Sequence, residues 1–389
     1  MAEARLTRGT HTRIVAGHPW IYSNEILEVS GEATPGDIID VLDYGGEFLG
    51  RGYMNPRSQI TIRLLTREDE TIDRSFFAAR LQKALDYRRR LVQGQNSFRL
   101  VHAEADFLPG LVVDKFEDYL VFQTLALGID LWKETIVSLL QEMLSPKGIY
   151  ERNDAPVREL EGLEQVMGFA SEPFDTLVEI EENGLRILVD IQRGQKTGYF
   201  LDQRENRLAI RRYCDGASVL DCFCYSGGFS LNAAAGGARE VLGIDQAESA
   251  LDLARANAME NKSAACSFEQ ANVFDILRQM QKRGRRFDMV VLDPPAFAKS
   301  RSALAGAVRG YKEINLRALK ILRPGGTLAT CSCSHHLSEE VLFEVVREAA
   351  ADAGVVLRLT EKRGAALDHP VLVPAPETGY LKCLIFEVS

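Results

Sequence analysis

No stretch of this chain runs for about 18 apolar residues without a charge, the length a helix needs to cross a bilayer, so no membrane partner is expected. The segment Met1 to Arg13 mixes Glu, Arg and Thr with no apolar core, which argues against a secretory signal there. Seven cysteines make an odd set, and no two of them stand in a Cys-x-x-Cys arrangement. Disulfide frameworks and zinc sites both use paired spacings, so neither is expected, and a reducing cytoplasm is the expected setting. An excess of positive charge is missing as well. The formal net charge is −9, which at first argues against a nucleic-acid partner.

Whole-chain charge hides its distribution, and distribution is what steers a polyanion. From Arg278 to Arg323 there are twelve Lys/Arg against three Asp/Glu, and from Arg80 to Arg99 six against one. From Glu151 to Glu182 there are two Arg against ten acids. An acidic segment thus lies between basic ones, which read either as solvated helix faces or as phosphate-gripping surfaces. At 389 residues the chain is too long for one compact core, and two or three domains are expected. Its 46% hydrophobic and 26% charged residues are ordinary for a protein that buries its own cores.

The first segment, 1–70, reads as short strands over 37–43, 47–53 and 59–65, with Tyr44-Gly45-Gly46 turning between the first two, and predicts a small β-barrel. The segment 71–182 reads as an α+β unit. It has an amphipathic helix over 72–91, strands over 106–114 and 119–125, and a second helix over 131–144. From 183 to 389 the rhythm changes. Strands over 218–221, 240–245, 287–293 and 326–331 alternate with helical stretches over 228–235, 247–261, 311–321 and 338–350, and a last strand covers 380–388. Such alternation predicts an α/β fold, a parallel Rossmann-like sheet wound on both faces.

Ligands of such sheets sit beyond the carboxyl ends of the strands, near the switch point of the strand order. Three of these strands end in Asp: 221, 245 and 293. After the first comes Asp221-Cys-Phe-Cys-Tyr-Ser-Gly-Gly-Phe-Ser230, in which the pair Gly227-Gly228 opens a helix and lets backbone approach a ligand. Tyr225 stands where a dinucleotide fingerprint has its first glycine, so the Gly-x-Gly-x-x-Gly pattern of NAD enzymes is absent. Asp245 ends the next strand, where an acid bonds ribose hydroxyls. Asp293-Pro-Pro-Ala-Phe297 sets a carboxylate, two rigid prolines and an aromatic at the sheet's rim, a wall suited to a planar ring. Phe297 is placed to stack on a base. Cys331 and Cys333 come at the end of the neighbouring strand. Alternate strand residues share a face, so both thiols are expected to point the same way. His335, His336 and the basic 278–323 segment supply cations that would activate a thiol.

These motifs carry a resemblance. Asp-x-Phe-x-Tyr-x-Gly-Gly (221–228), Asp-Pro-Pro-x-Phe (293–297) and Ser-Cys-Ser (332–334) resemble the ribosomal RNA large subunit methyltransferase I family. Ala16-Gly-His-Pro-Trp-Ile-Tyr22 looks like that family's N-terminal PUA domain, a small RNA-binding barrel. Glu104 to Asp114 is similar to its middle domain, and Lys196 to Asn206 to the segment leading into its catalytic domain. The resemblance spans essentially the whole chain. It implies a class I fold using S-adenosylmethionine (SAM) to methylate C5 of a cytosine in 23S ribosomal RNA. It further implies that Asp221, Tyr225, Gly227, Asp245 and Asn272 line the cofactor pocket, with Phe200 and Gln203 over it. Asn272 stands where the family often has an acid. Cys333 and Asp293 are the implied catalytic pair, and Phe297 and Lys299 the candidate substrate contacts.

C5 of cytosine is a poor nucleophile, and thiolate addition at C6 makes it enamine-like. Ser332-Cys333-Ser334 aligns with the family's motif, while Thr330-Cys331-Ser332 resembles the Thr-Cys-Ser of other RNA cytosine methyltransferases, so both thiols stay in play. The second cysteine that those enzymes carry in the Asp-Pro-Pro segment is replaced here by Ala296. Two other readings remain open: methylation of a base nitrogen, which needs no cysteine, and a non-catalytic RNA-binding protein. An NAD oxidoreductase is disfavoured by the missing glycine pattern. The oligomeric state, a homodimer included, is left open.

Overall fold

The computed structural model describes every residue except Lys299, together with all side chains but those of His11 and Arg301. The chain forms two compact units. One comprises 1–180, 189–201 and 367–378, and the other 181–188, 202–366 and 379–389.

The first unit holds two sheets. The N-terminal one is six-stranded, in the order 20–22, 60–66, 48–54, 38–42, 3–6, 26–30. Three of its strands are those predicted, and the short strands Glu3–Leu6, Trp20–Tyr22 and Ile26–Ser30 were not legible. Ala4, Leu6, Ile21, Ile39, Val41 and Ile62 fill its core. The second sheet has five strands, in the order 166–169, 148–153, 119–124, 111–116, 98–102. The helix Arg74–Leu91 packs on it with Phe77, Leu81, Ala84 and Leu85 inward. The strand expected over 106–114 begins only at Leu111, because Phe107 takes a left-handed turn (φ 57°) and Pro109-Gly110 a second one. The basic 80–99 stretch is largely structural: Arg88 is fully buried against Asp106, and Arg99 grips Asp114 at 2.6 and 2.9 Å.

The second unit carries the Rossmann-like sheet. Its strands are β1 (Ser218–Cys222), β2 (Glu240–Asp245), β3 (Cys266–Gln270), β4 (Phe287–Leu292), β5 (Leu322–Ser332), β6 (Leu357–Arg363) and β7 (Lys382–Val388). They lie in the order β3-β2-β1-β4-β5-β7-β6. The first five pair in parallel, and β7 enters antiparallel between β5 and β6. β1 and β4 are buried on both faces, which is why they read as continuous apolar runs. The helices are α1 (Gly228–Ala235), α2 (Glu248–Glu260), α3 (Val273–Lys282), α4 (Leu304–Ile321) and α5 (Glu339–Ala353). Strand order reverses between β1 and β4, so the carboxyl ends of β1, β2, β4 and β5 flank the switch point.

Candidate active site

Asp221, Asp245 and Asp293 stand at or just beyond the ends of β1, β2 and β4. The turn after β1 is contorted, with Phe223 (φ 64°), Tyr225 (φ 48°) and Gly227 (φ 83°) in the left-handed region. Gly227 is required twice over, since a Cβ there would also crowd Ala254 and Phe268 at 3.2–3.3 Å. Asp245 braces the turn. Its Oδ2 accepts from the Tyr225 amide at 2.9 Å and its Oδ1 from the Ala247 amide at 3.0 Å.

Asp221 is fully buried, and its Oδ2 accepts from the Ser230 hydroxyl at 2.6 Å. Burial pushes its carboxyl up to about 6, with Ser230 pulling the other way. Its Oδ1 and the neighbouring Ser226 Oγ are buried polar atoms with no hydrogen-bond partner among the described residues. Unmet polar atoms of this kind are costly and point to a missing partner.

Asp293 is only partly exposed, and burial pushes its carboxyl up to about 7. The carboxylates of Asp202 and Asp221 add to the rise, while Arg207 and a hydrogen bond from Gln203 oppose it. The Gln203 amide donates to Asp293 Oδ1 at 2.8 Å and is itself held by Asn206, which donates to Gln203 Oε1 at 2.6 Å. Gln203, expected over the cofactor pocket, is bonded here to Asp293. No local signal in the sequence points to this pairing across 90 positions.

The two thiols separate. β5 ends at Ser332, one residue before Cys333. Cys331 lies in the core, fully buried, and a hydrogen bond with Cys383 together with burial pushes its thiol far up. Cys333 lies beyond the strand, is partly exposed, and donates to Pro294 O at 3.9 Å. This sets it against the Asp293-Pro294-Pro295 segment. Beneath it, the Tyr311 hydroxyl of α4 accepts from Ser332 Oγ at 2.9 Å and lies 3.2 Å from Ser334 Oγ. Lys382 of β7 donates to Ser334 O at 2.8 Å and Tyr380 O at 2.9 Å, and sequence reasoning singled out neither residue.

Other expected site residues have different surroundings. Asn272 caps α3, its side chain accepting from the amides of Phe274 and Asp275. Phe297 packs edgewise or tilted against Tyr311, Phe274 and Phe223, with ring centroids 4.8, 5.9 and 6.4 Å away. Phe200 belongs to the first unit, where the Lys196 ammonium lies 4.8 Å above its ring. Lys299 lies outside the described residues. In the basic 278–323 segment, Arg278 and Arg317 share Glu313, Arg323 pairs with Asp288, and Lys312 with Glu348 and Asp352. Four of the segment's twelve basic residues are thus paired within the unit.

A family model described as S-adenosylmethionine-dependent methyltransferase matches residues 163–387, and one described as a PUA-like domain matches residues 4–67. The chain is 43% identical to a ribosomal RNA large subunit methyltransferase I of Tolumonas auensis over 387 residues, 98% of each chain. It is 42% identical to one from Escherichia coli over 383 residues, 97% of each. Among solved structures, SMU.776, described as a methyltransferase complexed with S-adenosylhomocysteine (SAH), superposes with a TM-score of 0.87 over 100% of both chains at 20% identity. That likeness concerns the fold alone.

The residues at the strand ends fit SAM. The left-handed Gly227 opens α1 without a side-chain cap of its own. Asp221 Oδ1 and Ser226 Oγ are acceptors awaiting donors, as the cofactor's ammonium group would be. Two relatives matched over nearly their full length, and a methyltransferase model matched over more than half of the chain, lead to one assignment: this chain belongs to the SAM-dependent ribosomal RNA large subunit methyltransferase I family.

Proposed function

We propose that the chain methylates C5 of a cytosine in 23S ribosomal RNA through a covalent bond between Cys333 and C6. The observation that carries this reading is the placement of one accessible thiol, Cys333, against Pro294, next to a carboxyl group poised near 7, while the other candidate thiol is sealed in the core. The relatives' activity on large-subunit ribosomal RNA, carried in their name, supplies the substrate.

When bound, SAM supplies an electrophilic methyl group. The chain's own residues prepare the acceptor. The Cys333 thiolate bonds to C6, and the displaced electron pair moves towards N3. Asp293, protonated near neutral pH, gives its proton to N3 and so neutralises the charge developing there. The ring is then enamine-like, and C5 takes the methyl group. After C5 loses its proton to a base, the C–S bond breaks, Cys333 leaves as thiolate, N3 returns its proton to Asp293 and the ring's double bond is restored. Gln203 keeps Asp293 turned towards the ring by holding Oδ1. Asp245 would bind the ribose hydroxyls and Asp221 the cofactor's amino-acid end, with Tyr225, Gly227 and Asn272 as further pocket residues. Phe297 and Lys299 remain the proposed substrate contacts, and the PUA-like domain the proposed RNA grip.

The direct test is nucleoside mass spectrometry of ribosomal RNA incubated with the protein and SAM. 5-Methylcytidine is expected, and an N-methylated base as the only product would refute the proposed chemistry.

The cofactor assignment has its own expected result. Asp245→Ala should weaken SAM binding at least tenfold by calorimetry, as for loss of a charge-assisted contact worth roughly 1.5–3 kcal/mol. Part of that loss would come from the Tyr225 turn, which Asp245 braces. Unchanged affinity would move the ribose contact elsewhere.

A further inference from the structure

β7 runs antiparallel to β5, and its first residue, Lys382, stands opposite Ser332, the last residue of β5. The Lys382 side chain reaches the turn that follows, where its ammonium donates to the carbonyls of Ser334 and Tyr380. Lys382 is 8% exposed. An ammonium taken out of water is costly unless a counter-charge or strong acceptors replace the solvent. Among the described residues, no carboxylate pairs with it. Burial lowers its affinity for the proton, and what opposes burial is the Cys333 thiolate. Charge interaction is mutual, so the ammonium favours the thiolate as the thiolate favours the ammonium.

We infer that Lys382 is the positioning residue of the nucleophile, pinning the turn that carries Cys333 and supplying the cation that keeps its sulfur ionised. The inference rests on the reading of Cys333 as the attacking thiol. The other titratable groups around that turn do not take this part. Asp293, after β4, opposes a thiolate when ionised. Tyr311 on α4 is occupied with Ser332 and Ser334. His335 lies against the Tyr380 ring with centroids 5.4 Å apart, on the exposed side of the turn. Cys331 and Cys383 are partners of each other in the core. Lys382 therefore provides a fixed positive charge on a rigid strand, where it needs no rearrangement during the reaction.

The test uses the full-length protein and reads Cys333 directly. Iodoacetamide alkylation of the Cys333 peptide is followed by mass spectrometry across pH in wild type, Lys382→Met and Lys382→Arg, with SAH binding as the check on folding. In wild type the midpoint should fall below the ordinary thiol value of about 8.5. Lys382→Met should raise it by about one pH unit, slowing alkylation near pH 7 about tenfold, and Lys382→Arg should restore most of the rate. An unchanged midpoint in Lys382→Met would overturn the inference. Should that variant fail to fold, a wild-type midpoint at or above the ordinary value would do the same. Trapping on 5-fluorocytosine RNA separates the two readings. If Lys382→Met shifts the midpoint but wild type forms no adduct, Cys333 is not the nucleophile and Lys382 has no part in turnover. If the adduct forms and the midpoint does not move, only the role of Lys382 falls.

Discussion

Replacing Cys333 by alanine is expected to abolish methyl transfer, by on the order of 10⁴-fold or more, while SAM and RNA binding stay nearly unchanged. Removing a nucleophile removes the covalent route itself, whereas the cofactor contacts proposed at the ends of β1 and β2 involve other residues. Cys331→Ala is the matched control. It trims a fully buried side chain, so it should cost about 1 kcal/mol of stability through a small cavity and keep most of the activity. RNA carrying 5-fluorocytosine at the target should form a stable adduct with wild type, because the C5 substituent cannot leave as a proton. The adduct should be missing with Cys333→Ala, as seen on a denaturing gel. An adduct that survives in Cys333→Ala and disappears in Cys331→Ala would reverse the assignment. Full activity in the double variant would remove covalent chemistry and favour transfer to a base nitrogen, which needs no thiol.

How far the sequence revealed this arrangement depends on how local each signal was. The strands ending in Asp221, Asp245 and Asp293 were legible because central parallel strands are buried on both faces and show as short apolar runs closed by an acid. The edge strand β3, Cys-Ser-Phe-Glu-Gln, has few apolar residues and pairs on one side only, so nothing in its pattern marks it. β6 alternates leucine with charges and is equally easy to pass over. α3 starts at a cap, Asn272, the same residue that the family resemblance assigns to the cofactor pocket. The choice between the thiols needed the exact end of β5, and strand ends are the least legible feature of a sequence. Gln203 and Lys382 could not be found at all by pattern. Each matters through a partner, Asp293 or Ser334, that lies 90 or 48 positions away.

Asp293→Asn should lower the rate by roughly 10²- to 10⁴-fold and change the pH profile in a definite direction. In the proposed mechanism Asp293 acts in its protonated form, and burial among other acids holds its carboxyl up to about 7. The kcat/KM of wild type should therefore fall as pH rises through about 7, while a thiolate requirement pulls it down on the acid side, giving a bell. Asparagine carries no titrating proton, so the alkaline limb should vanish along with most of the rate, leaving only the thiolate limb. Stability gives a second readout with an independent sign. Between the ordinary aspartate value of about 3.9 and about 7, the folded protein holds a proton that the unfolded chain releases, so wild-type stability falls as pH rises across that window. Asn removes the slope, and above pH 7 the variant should melt at the same temperature as wild type or higher. A variant that keeps the alkaline limb would place the titrating acid elsewhere. A variant that binds SAH and retains wild-type turnover would remove Asp293 from the proton transfer to N3.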